Sequence, residues 1–463
     1  MTTVRKALAA MVAAGLLAAC GGSGGEGGTG GPGSAAGGGP GKPPIGAEKP
    51  LRTPVKAPEG FDTSKGWQET VTWLPEGART APVDAAPEAG IVAFLQRDGG
   101  AYSVEARDAV TGALRWKGEP WEPPAAEDDG GLSMRAPRIP RLLVVHEKGR
   151  EYVVVWAHGL QGEDALSKGE KVISLALYPA GSSGEKVAPA HTVTVPADTR
   201  SGDVEVRDGG DGLLVRWKDL GWNAAAVDVS TGRFETYRAD QELPVYCRKV
   251  GCGSGEVGAL SPAGPVIALS TRGFGVDGGW QASDAVPPGV DTQEYERYKD
   301  GRLWTTAGDH VISSWTAEDD PLGRPVWAVH DLSTGKLEMS APCRTVERSA
   351  DAPPRPVLSA NGRYAVVGAL ALDFERGRAH CLGETDQRKG VRLLSVGDDG
   401  TAYGFAGGGG TTESTPVAVS LSTGEPEALP QGTEVPFLSL PKAGGFSPMA
   451  DGGGLLFVFH PRG

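Results

Sequence analysis

Cysteine, methionine and histidine are scarce in this 463-residue chain, with 5, 5 and 7 copies. The histidines (His146, His158, His191, His310, His330, His380 and His460) stand apart from one another. Their spacing excludes the H-E-x-x-H and H-x-H patterns that bring two imidazoles to one zinc ion. They read as surface or satisfied core residues. Basic clusters are also missing, since 45 Lys and Arg face 58 Asp and Glu for a net charge of −13. That balance excludes a nucleic-acid partner, because binding phosphates needs concentrated positive charge. No stretch after the first twenty residues shows an amphipathic helical period with caps, which excludes a helical bundle. No apolar run reaches the roughly 20 residues that a membrane-spanning helix requires. Glycine and proline, by contrast, are abundant at 71 and 36 copies, as in a fold dense in turns.

The first twenty residues combine charge at Arg5 and Lys6, an uncharged run from Ala7 to Ala19, small residues at Ala18 and Ala19, and Cys20. This is the layout of a signal peptide cleaved immediately before a cysteine. It resembles the leader of bacterial lipoproteins. The resemblance implies removal of residues 1–19 and attachment of diacylglycerol to Cys20. Two acyl chains, at about 0.8 kcal/mol per buried methylene, anchor stably where one is marginal. Loss of Arg5 and Lys6 takes the net charge to −15. Residues 20–60 follow as a Gly/Pro-rich linker with few apolar side chains, expected to stay disordered because it has little surface to bury. About 40 such residues reach some 35 Å. Gly21-Gly22-Ser23-Gly24-Gly25 matches G-x-S-x-G in form, but lacks the strand-to-helix turn that exposes a nucleophilic serine.

Beyond Cys20 the cysteines are Cys247, Cys252, Cys343 and Cys381, an even number that in an exported chain reads as disulfides. Three pairings exist. The expected one joins Cys247 to Cys252 across a short loop and Cys343 to Cys381 between neighbouring repeats. A four-cysteine zinc site is disfavoured, because the single C-x₄-C has no second close pair.

A repeat runs through residues 61–463. Asp108-Ala-Val-Thr111-Gly112, Asp228-Val-Ser-Thr231-Gly232, Asp331-Leu-Ser-Thr334-Gly335 and Ser420-Leu-Ser-Thr423-Gly424 each follow an apolar or alternating run and precede a new strand. Each reads as a hairpin turn in which glycine takes positive φ. Their glycines lie 120, 103 and 89 residues apart, about twice a 40–50-residue unit, so a degenerate repeat sits between each marked pair. Ser261-Pro-Ala-Gly264 and Ser359-Ala-Asn-Gly362 mark such intervening units.

The segment Ile91 to Trp116, with Asp98-Gly99, Tyr102, Asp108-x-x-Thr111-Gly112 and Trp116, resembles the quinoprotein-type (PQQ-like) propeller repeat. The turns at 261–264 and 359–362 resemble those of TolB and WD40-like propellers. The resemblance covers most of 67–460 and implies an all-β propeller. Seven blades are expected (67–121, 139–197, 203–239, 256–290, 300–343, 355–385 and 391–430), with eight as the alternative count. The strand 453–460 is expected to close the ring against Trp67–Trp73 and remove an exposed sheet edge. Tryptophans such as Trp116, Trp217, Trp304 and Trp327 are expected to fill the gaps between blades.

Chemistry-bearing patterns are few. Gly273-Phe-Gly275-Val-Asp-Gly278 matches G-x-G-x-x-G but precedes no helix, so it reads as a blade turn. The acidic groups Glu127-Asp128-Asp129, Glu318-Asp319-Asp320 and Asp398-Asp399 sit beside Gly or Pro as solvated loops; their convergence would be needed for calcium binding or glycoside cleavage. No quinone or calcium ligands map onto positions here, so neither cofactor nor metal is expected. The expected function is that of a monomeric, membrane-anchored, extracytoplasmic binding or scaffolding module for an envelope protein or glycan. The loops 121–140 and 284–300 are its expected contact regions. The alternative is a quinoprotein-like oxidoreductase or a glycan-acting enzyme.

Overall fold

The structure, a computed structural model, describes residues 51, 54–75, 81–126, 139–164, 166–199, 203–238, 255–269, 273–290, 301–318, 325–344, 355–407, 414–446 and 454–461. The chain divides into units 1–45 and 46–463, and the first lies outside the described residues. Lipidation of Cys20 and the Cys247–Cys252 pairing therefore fall outside them, as do the acidic residues 127–129 and 319–320.

The described residues form eight sheets arranged as propeller blades, antiparallel throughout except that Gly184–Val187 adds to the first in parallel with Leu114–Gly118. Blades 1 to 7 occupy 83–118, 141–196, 204–237, 255–276, 302–342, 357–381 and 391–428. The expected seven units are thus all present, but they do not complete the ring. The eighth blade is assembled from both ends of the chain. Leu438–Leu440, Ala443–Phe446 and Gly454–Pro461 supply its inner three strands, and Phe61–Val71 its outer one. Trp67 pairs with Val458 and Thr70 with Leu455, so the expected closure occurs, within a blade of its own rather than blade 1. The expectation of seven blades is corrected to eight.

Strands buried on both sides read as continuous apolar runs because each blade is flanked by two others. In Tyr152-Val153-Val154-Val155-Trp156 every residue is buried. Alternate members face opposite neighbours: Tyr152, Val154 and Trp156 join the core shared with blade 3, and Val153 and Val155 the core shared with blade 1. The hydrophobic core is consequently a ring of inter-blade layers. Trp116, Trp217 and Trp327 lie in these layers, and Trp304 packs partly buried against one.

The four marked turns lie in blades 1, 3, 5 and 7, between the third and fourth strands. The aspartates of the first three act as turn caps: Asp331 Oδ1, for example, accepts from the Thr334 amide at 2.7 Å and the Thr334 hydroxyl at 2.6 Å. A ring from the outer edge of the preceding, even-numbered blade packs on each glycine. Trp67, His191, Trp280 and His380 stand against Gly112, Gly232, Gly335 and Gly424. Each ring nitrogen also bonds the turn's backbone, at the carbonyls of Ala109, Ser230, Leu332 and Leu421. The fold is therefore four clasped pairs of blades. Cys343, just past the outer strand of blade 5, forms a disulfide with Cys381 on the outer strand of blade 6.

Candidate functional site

The innermost strands surround a cavity of about 1750 Å³, lined by seven of the eight blades. Blade 4 does not reach it. Its first strand, Gly255–Ser261, is instead bridged at Leu260 to Gly210 of blade 3, and its Gly258 carbonyl accepts from Arg207. Glycine at 210 permits the bridge, since a Cβ there would lie 3.0 Å from the Leu260 carbonyl oxygen and 2.3 Å from Leu332 Cδ2. Arg207 also meets the Glu205 carboxylate at 3.0 Å and the Thr306 hydroxyl at 3.3 Å, tying blades 3, 4 and 5 together. Burial lowers the proton affinity of its guanidinium, against the raising effect of Glu205.

Among the described residues the lining carries seven carboxylates (Asp84, Glu88, Glu151, Glu205, Asp208, Asp309 and Glu434) against three arginines (Arg141, Arg207 and Arg355) and no lysine. An excess of one sign inside a low-dielectric wall focuses the field and selects ligands by charge. Burial pushes the Asp208 carboxyl up to about 6, although the Gly210 N–H, Arg207, His146 and Arg355 all act to lower it. Burial likewise raises Glu151, opposed by the Ala89 N–H at 2.8 Å.

Asp84, on the inner strand Val83–Ala86, is buried and accepts from the Val144 N–H of blade 2 at 2.9 Å and from the Ala85 N–H at 3.0 Å. It also receives Arg355 Nη2 at 2.5 Å, across a sequence separation of 271. Arg355 leads into blade 6, so its side chain crosses the channel to blade 1. The Asp84 carboxylate holds its guanidinium above the usual range. At another part of the lining Arg141 lies over the Trp156 ring, 5.4 Å from its centroid.

Of the two loops expected to make contacts, the 121–140 crossover contributes most: Pro123, Pro124, Ala126, Ile139 and Pro140 line the cavity, whereas 284–290 does not. Asp399 caps its own turn, accepting from the Thr401 amide at 2.9 Å, while Asp398 accepts from the Asn361 amide of the blade 6 turn at 2.8 Å. In 273–278, Phe274–Val276 is a strand, followed by the three-residue 3₁₀ turn Ala282–Asp284. Cys381 lies on the outer strand Arg378–Cys381 and Cys343 directly follows the outer strand Leu337–Pro342; neither lines the cavity. A quinone with calcium does not fit the described lining: its one tryptophan, Trp156, is 6% exposed, and among the described residues no three metal-ligating side chains converge. The charged lining itself carries no local motif. Glu205, Arg207 and Asp208 share one strand, but that strand meets the lining charges of the other blades only when the ring closes.

No family model and no curated protein matches the chain. Among solved structures, the Dos1 propeller is similar at a TM-score of 0.41 and 11% identity, covering 84% of this chain and 95% of that one. The WD40 repeats of RRP9 give 0.32 and 11%, covering 88% and 99%. The acylaminoacyl peptidase of Pyrococcus horikoshii gives 0.36 and 10%, covering 77% of this chain and 47% of the peptidase.

Proposed function

We propose that the chain is an exported, lipid-anchored β-propeller that works as a binding module in the bacterial cell envelope, with its ligand seated in the central channel. The observation that carries this reading is the cavity of about 1750 Å³, larger than the 300–1,000 Å³ of typical ligand pockets and lined by charged groups from separate blades. The leader, Cys20 and the Gly/Pro-rich linker support display outside the membrane, and the acidic composition suits a body held clear of anionic lipid.

Two measurements test it. Full-length protein should partition into detergent and Cys20→Ser should not; partitioning of the variant would refute the anchor. Envelope extract passed over the immobilised full chain should yield a partner that Ser439→Arg, which plugs the channel, fails to retain. Equal capture by the plugged variant would move the site off the channel.

A further inference from the structure

We propose that Arg355 occupies a guanidinium subsite built around Asp84, and that the channel's ligand carries a guanidinium or primary ammonium group that displaces it. This rests on the channel being the binding site. Three features of the lining carry the inference.

Asp84 is held for recognition of a cation before any ligand arrives. Its two oxygens take backbone N–H groups from blades 1 and 2, which fix the carboxylate plane and keep it satisfied when a cation leaves. Arg355 uses one Nη on it, while its side chain is 63% exposed within the cavity wall. A partner held by one nitrogen and open to solvent over most of its length is exchangeable in a way that the wedged Arg207, 15% exposed, is not. The carboxylate excess of the lining, with Asp208 also close enough to act on Arg355, favours a replacement of the same charge and repels an anionic one. Arg355 is thus an internal occupant that holds the subsite closed until a competing cation enters.

The experiment measures binding of agmatine, which carries both groups, to the full-length protein in detergent by calorimetry. Arg355→Ala should bind agmatine at least tenfold more tightly than wild type, and Asp84→Asn placed in that background should abolish the gain. Arg355→Gln, which keeps the stem volume, repeats the measurement should the alanine variant misfold. Tighter binding of the tripeptide Gly-Arg-Gly than of agmatine assigns the group to a peptide chain, and the reverse assigns it to a small amine. No gain in either Arg355 variant, or a gain that survives Asp84→Asn, overturns the proposal. That result leaves the channel reading standing if Ser439→Arg still loses the envelope partner.

Discussion

The imidazole of His380 takes the space that a side chain at position 424 would need. A Cβ on Gly424 would lie 2.2 Å from His380 Nδ1, while Nε2 of the same ring stands 2.9 Å from the Leu421 carbonyl. One ring thereby fastens blade 6 to the turn of blade 7, and Trp67, His191 and Trp280 repeat the arrangement at the other marked turns.

Gly424→Ala should therefore destabilise the domain by about 2–4 kcal/mol, combining a left-handed backbone penalty with overpacking against the ring. Gly90 has a similar φ of +65° but nothing within 4 Å of an added Cβ. Gly90→Ala should cost only the backbone part, about 1–2 kcal/mol. Urea unfolding of both variants measures the difference, and equal losses would remove the clasp as a stabilising contact.

Reduction of Cys343–Cys381 should lower stability by up to about 4 kcal/mol, the chain-entropy value for a closed loop of 38 residues. The double variant Cys343→Ala, Cys381→Ala should show the same loss without reductant and no further response to dithiothreitol in a thermal melt.

Arg207→Ala should cost about 1–3 kcal/mol, the penalty for leaving the buried Gly258 carbonyl without its donor, since Glu205 keeps Arg216 Nη1 at 3.2 Å. Glu205, the Gly258 carbonyl and Thr306 all lose a donor at once, so blades 3, 4 and 5 loosen together. The exposed Arg233 provides the control, with a change within about 0.5 kcal/mol for Arg233→Ala. Hydrogen exchange at the inner strands locates the loss.

Stability should depend on pH with two opposing contributions. Burial holds His330, which is fully buried beside Phe274 and Trp315, below its ordinary 6.5. Its contribution is present above pH 6.5 and is lost as pH falls through the folded value, because the unfolded chain then binds the extra proton. Asp208, raised from 3.8 to about 6, acts in the other direction. Its contribution is present below about 4 and is lost as pH rises through 6. His330→Gln should flatten the acid-side fall and Asp208→Asn the loss between pH 4 and 6, both read from denaturant midpoints across pH.

The blade count was within reach of the sequence. Four marked turns at double spacing imply four unmarked partners, and the structure places the marked ones in blades 1, 3, 5 and 7. The eighth blade escapes a linear reading because its strands are divided between 61–71 and 438–461. The clasp is hidden for a related reason. Its rings precede their turns by 41, 37, 51 and 40 residues and are tryptophan in two cases and histidine in two, so no fixed spacing or residue type announces them. His191 and His380, read as scattered histidines, turn out to be inter-blade fasteners.

The sequence by itself determined the all-β class, the turn chemistry and the repeat, because these depend on alternation, glycine φ and side-chain caps within a few residues of each other. Only the tertiary structure decided that the closing strands form an eighth blade of their own, that blade 4 stays out of the cavity lining, and that Asp84 and Arg355 bridge the acidic channel. Those features arise between residues far apart in sequence, 271 positions for that pair. Their energies come from burial and charge proximity that exist only after the ring has closed.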